Sequence, residues 1–76
     1  NNTLVDTYLE LTISENVEFQ HFHIFNQQGS LIDIVDPAYY KTSNSLRIPM
    51  DTYLSGQYFI SGIANGKQQS ERFIKL

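Results

Sequence analysis

Three glycine turns divide this chain into segments too short and too weakly periodic for helices. They are Asn26-Gln27-Gln28-Gly29, Leu54-Ser55-Gly56 and Asn65-Gly66. Gly29 supplies a positive φ that a side chain would resist, Gly56 lets the backbone reverse into the next strand, and Asn-Gly is the strongest short hairpin signal in the chain. Between these points the residues alternate at period two, as strands half-buried in a sheet do.

Tyr8-Leu9-Glu10-Leu11-Thr12-Ile13 sets Leu9, Leu11 and Ile13 on one face. Glu18–Asn26 is dense in aromatics, and Phe22 and Ile24 are its core positions. Ser30–Val35 returns as its hairpin partner. Asp36–Asn44 is the longest irregular segment, with Pro37 pushing Asp36 out of the helical region. Ser45–Met50 turns Leu46, Ile48 and Met50 inward, and Pro49, lacking an N–H, marks an edge strand. Gln57–Ala64 and Gln68–Leu76 close the chain as a hairpin, with Tyr58, Ile60 and Gly62 on one face of the first. Asn1–Thr7 reads as a linker end or edge strand and residues 8–76 as one domain. The expectation is all-β: a small immunoglobulin-like antiparallel sandwich of six to seven strands.

Seventy-six residues bury only about 60% of the surface of the unfolded chain, so the core has to be efficient. Without cysteine no disulfide supports it, and no Cys/His set can hold a structural zinc. The five Phe and five Tyr carry that load. Five scattered Lys and Arg against eight Asp and Glu argue against nucleic acid, which needs clustered cations. No apolar run approaches the ~20 residues of a membrane span. Asn1-Asn2-Thr3 is no charged signal-peptide start and no apolar stretch follows, so the chain is either cytosolic or a piece of a longer precursor; the bare Asn1-Asn2 start favours the second, a C-terminal module. Asn1-Asn2-Thr3 also matches the glycosylation sequon, a pattern too short to carry weight.

Catalytic and metal-binding patterns are weak. His21 and His23, two apart on one strand face, can share a metal, but zinc wants three or four ligands and no third is assignable. Asp33, Asp36 and Asp51 match no calcium-loop spacing and read as solvated turn acids. No Gly-x-Ser-x-Gly or phosphate loop stands in the chain. We expect no enzyme activity, no cofactor and no metal. Tyr39 and Tyr40, with Tyr53, form a candidate platform for sugar rings; the competing reading buries them against the core edge.

Phe22-x-Ile24-x-Asn26-x-x-Gly29-x-Leu31, Leu46-x-Ile48, Leu54-Ser55-Gly56-x-Tyr58-x-Ile60 and the closing Arg72-Phe73-Ile74-Lys75 together resemble the C-terminal sorting domain of type IX secretion cargo in Bacteroidetes. The resemblance runs from about Leu9 to Leu76. The Tyr-Pro-Asn-Pro-like segment with which such domains usually open does not stand in Asn1–Thr7. The resemblance implies a seven-stranded immunoglobulin-like sandwich that directs its parent through an outer-membrane translocon. A sortase-like peptidase then removes the domain, so the route runs through the periplasm to the cell surface or medium. Carried over by position, the sorting signal is Arg72, Phe73, Ile74, Lys75 and Leu76. Gly29, Gly56, Tyr58, Asn65 and Gly66 shape the turns. An exposed terminal strand offers backbone groups for strand addition. Positions 73 and 75 share a face, so the sequence leaves open whether Ile74 is the buried residue or the end frays; in either case Lys75 is the side chain expected to be exposed.

Two other readings stand beside this one. The first is a carbohydrate-binding or accessory sandwich of a secreted protein, acting through the 36–44 loop. The second is a small secreted immunoglobulin-like domain without an assigned role. Weak self-association through the edge carrying Pro49 is left open.

Overall fold

The closing hairpin is the frame on which the rest is built. Gly56–Ala64 and Lys67–Lys75 pair antiparallel without a register break, from Gly56 opposite Lys75 to Ala64 opposite Lys67. The computed structural model describes residues 3–12, 20–42, 45–64 and 66–76. Asn65, Ile13, Glu18, Phe19, Ser43 and Asn44, which the sequence places in turns and strand ends, lie outside the described residues.

In chain order the strands are β1 (Thr3–Val5), β2 (Tyr8–Thr12), β3 (Phe22–Asn26), β4 (Leu31–Val35), β5 (Ser45–Pro49), β6 (Gly56–Ala64) and β7 (Lys67–Lys75). Five form one sheet in the order β1-β7-β6-β3-β4, and β2 pairs with β5 in a second. The all-β class and the two-sheet arrangement are as the sequence implies. The pairing is antiparallel throughout with one exception: β1 runs parallel to β7, Thr3 opposite Phe73 and Val5 opposite Lys75.

Alternation decides what is buried. From the larger sheet Val5, Phe22, Ile24, Val35, Tyr58, Ile60 and Phe73 face inward; Leu9, Leu46 and Ile48 meet them from the smaller, followed by Met50. Leu11 and Tyr53 pack against this cluster, half-buried. Every one of these residues is apolar or aromatic, so the core rests on removal of apolar surface from water.

The turns follow the local chemistry. Asn26 organises the β3–β4 hairpin: its main-chain oxygen accepts from Gly29 N at 2.9 Å, and its Oδ1 accepts from Gln28 N and Ser30 N, each at 3.0 Å. Gly29 has φ of 84°, the left-handed region a glycine enters without steric cost. After β4, Asp36 Oδ1 accepts from Ala38 N at 3.0 Å and starts a 3-10 turn at Pro37–Tyr39. An aspartate preceding a proline at the first helical position is the sequence signature of that turn.

Candidate functional site

The last strand does not lie on the open edge of the sheet. It is flanked by β6 on one side and, over Phe73–Lys75, by β1 on the other, and Leu76 N donates to Val5 O at 2.8 Å. The expectation of an uncovered terminal strand is therefore corrected. Of the two readings of Asn1–Thr7, linker end or edge strand, Thr3–Val5 is an edge strand, and Val5, 2% exposed, anchors it in the core.

Lys75 is the second correction. It was expected at the surface, but it is only 9% exposed, and its Nζ donates to the main-chain oxygen of Leu76 at 2.8 Å. The cause is parity: Phe73 is a core residue at 1% exposure, and position 75 must share its face. What the strand end shows to solvent is then Arg72, half-buried Ile74 and exposed Leu76.

An aromatic clamp holds this strand to the turn before β6. The Tyr58 and Phe73 rings stack with centroids 5.5 Å apart, 19° from parallel, and Tyr53 meets Tyr58 edge-on at 5.5 Å and 76°. Tyr58 OH donates to Leu54 O at 2.7 Å, tying the strand back across Leu54-Ser55-Gly56. Gly56 sits at φ of 150°, outside the range a side chain adopts easily. Tyr53 OH donates to Asp33 Oδ2 at 2.8 Å, and burial together with that carboxylate pushes the phenol well above its ordinary range. The other oxygen of Asp33 accepts from Ile34 N at 2.8 Å.

The remaining candidates are placed as follows. Tyr39 is 81% exposed, and its ring meets that of Tyr40 at 60° with 6.4 Å between centroids. Tyr53, the third member of the proposed platform, is turned into the clamp. His21 Nε2 lies 3.8 Å from Asp36 Oδ2, and His23 stacks on Phe25 at 6.4 Å and 20°. Among the described residues no three His, Cys, Asp or Glu converge in a way that could hold a metal ion. Gly66 has φ of 77°.

Gly62 shares a face with Tyr58 and Ile60, and the sequence gives it no role there. A Cβ there would lie 2.4 Å from Phe22 Cε1, so the bare backbone makes room for the ring. A glycine inside a strand was the available signal, since it commonly marks such close approach.

In this two-sheet sandwich the last strand lies beside β6 and, over Phe73–Lys75, beside β1. The match to known families is specific: residues 5–76 fit the secretion system C-terminal sorting domain, and the chain belongs to that family, the sorting signals of type IX secretion. No curated protein and no solved structure gave a significant match. Domains of this family interact with the type IX machinery, mark secreted proteins bound for the cell surface or the outside, and are not known as catalysts.

Proposed function

We propose that the machinery reads the outward side of the strand end, Arg72, Ile74 and Leu76, while Phe73 and Lys75 hold that side in position. The observation behind this is the alternation of burial along β7. Phe73 and Lys75 are buried, whereas Arg72, Ile74 and Leu76, which alternate with them, lie on the opposite face of the strand. Leu4, 65% exposed and opposite Ile74, extends the same surface, so a receptor meets an apolar ridge with a cation at one end. Gly29, Gly56, Tyr58 and the Asn65-Gly66 turn serve by fixing the sheet that presents it.

The receptor is an outer-membrane translocon component met from the periplasm, and a sortase-like peptidase acts on the junction afterwards. The domain is itself non-catalytic: Tyr53 and Asp33, its most closely paired titratable groups, are bonded to each other across the clamp. The edge-on geometry of Tyr39 and Tyr40 offers a sugar one ring face at a time, which weighs towards sorting over glycan binding.

Removing Arg72–Leu76 outright is a poor test, since it also takes Phe73 from the core. The discriminating variant is Arg72→Ala with Ile74→Thr and Leu76→Ala. It is placed on a reporter with its own signal peptide in front of Asn1–Leu76, in a host with type IX machinery. We expect the wild-type fusion at the surface or in the medium and the variant held in the periplasm, with the circular dichroism of the purified domain unchanged. Export of the variant at the wild-type level would refute this reading.

A further inference from the structure

The end of the sandwich where β3 turns into β4 carries an open cleft of about 430 Å³. Ile32 and Leu54 give it apolar walls, Tyr53 and Tyr58 also line it, and Asn26, Asp33 and Thr52 bring its polar groups. All of these residues are described. Asn26 lies opposite Tyr58 at the start of β6, whereas Gln20 N bonds to Ile63 O near the end of that strand. Thr42 N likewise bonds to Ser45 O, at the far end of β5 from Thr52. The cleft therefore stands apart from the strand ends that adjoin residues 13–19 and 43–44, and β7 separates β6 from β1, which adjoins residues 1–2.

Local structure sets both apolar walls. The β3–β4 register shifts between the Ile24–Asp33 and Phe25–Leu31 pairs, so Ile32 is the extra residue of a bulge, a device that re-aims a side chain. It is 44% exposed. Leu54 is 82% exposed, yet its turn is held by the 2.7 Å bond from Tyr58 OH to its own carbonyl.

Asp33 is the charged group of the cleft, and its hydrogen-bond partners are neutral: Tyr53 OH on Oδ2 and Ile34 N on Oδ1, each at 2.8 Å. A carboxylate has about four acceptor sites, so these two bonds leave room for a forked donor. Burial and the carboxylate raise the Tyr53 phenol, which keeps it a protonated donor to Oδ2. Among the described residues the ion pairs lie elsewhere, Arg47 with Glu10 and His21 with Asp36, and no Lys or Arg lines the cleft. Lys75, across the ladder from Gly56, directs its Nζ to Leu76 O, on the β1 side of the sheet. Asn26 commits Oδ1 to Gln28 N and Ser30 N, which leaves Nδ2 as the group it brings to the cleft.

We propose that this cleft binds an arginine side chain presented by an extended segment of a partner protein. The guanidinium forks on Asp33, the methylene stem lies between Ile32 and Leu54, and Asn26 Nδ2 donates to a main-chain carbonyl of the segment. Charge complementarity chooses the occupant. An apolar-walled cleft with a carboxylate suits a side chain that is apolar along its stem, cationic at its tip and planar enough to meet two oxygens. The proposal goes beyond the sorting reading. Its groups are separate from Arg72, Ile74 and Leu76, so either reading can fail without the other.

The test titrates the isotope-labelled 76-residue chain with three capped pentapeptides, Ala-Val-Arg-Val-Ala, Ala-Val-Lys-Val-Ala and Ala-Val-Gln-Val-Ala, followed by amide shifts. The arginine peptide is expected to shift the Ile34, Tyr53 and Leu54 amides and to bind about fivefold tighter than the glutamine one, the size of an exposed ion pair. The lysine peptide should fall between them. Asp33→Asn keeps an oxygen acceptor but no charge, and should bring the arginine and glutamine peptides to equal affinity. Leu54→Ala, at an exposed position, should weaken both about threefold and leave their ratio unchanged. Equal binding of the two peptides to wild type, or a preference that survives Asp33→Asn, would overturn the proposal. Shifts confined to other residues would do the same, and lysine binding as tightly as arginine would overturn the forked contact.

Discussion

Gly62 and Phe22 act as one unit, because the ring occupies the space a side chain at position 62 would need. Gly62→Ala should therefore destabilise the domain by about 1–3 kcal/mol through overpacking. The shift in the urea midpoint measures it, and an unchanged midpoint would show that the ring moves aside freely. Gly56 is constrained differently: nothing crowds it, but its φ of 150° strains any other residue. Gly56→Val should cost about 1–3 kcal/mol by backbone strain alone.

Tyr53 ties stability to pH at the same scale. Its phenol is raised in the folded state by burial and then by Asp33, so unfolding eases its ionisation. The stabilisation is complete below the unfolded value of about 10 and is lost as pH rises from there through the folded value. Wild type should lose more stability between pH 8 and pH 11 than Tyr53→Phe, as read by chemical denaturation at the two values. Equal losses would show that other groups govern the alkaline limb.

At the scale of the element, β1 is the least self-sufficient strand. It has three residues and, among the described residues, pairs with β7 and buries Val5. Val5→Ala should cost about 1–3 kcal/mol if all of that burial is felt. It should also quicken hydrogen exchange at Leu76, whose N–H bonds to Val5 O. Faster exchange at Leu76 with the β6–β7 amides unchanged would mark β1 as a separately opening unit. Slower or unchanged exchange at Leu76 would mean that β1 is held by its backbone bonds alone.

For the whole molecule, the two sheets divide the work. The five-stranded sheet carries the contact surface proposed for sorting, the outward end of β7, and the two-stranded sheet covers the core from the other side. The aromatic clamp of Tyr53, Tyr58 and Phe73 joins the turn before β6 to the strand after it. This explains how two features far apart in the chain, Leu-Ser-Gly-x-Tyr and the terminal Phe-Ile-Lys, depend on one another.

The strands from β2 to β7, the inward faces of β2, β3 and β5 and the turns at Gly29 and Gly56 were legible in the chain, because each follows from period-two alternation and local backbone chemistry. The family was legible as well, through the order of those same motifs. The neighbours of the last strand were not. Whether β7 is an edge depends on where Thr3–Val5 comes to rest, some seventy residues away, and nothing local to either segment encodes that pairing. The burial of Lys75 is the sharpest instance. Its charge predicts exposure, but alternation commits position 75 to the face of Phe73, and only the packed sheet shows that the core claims that face.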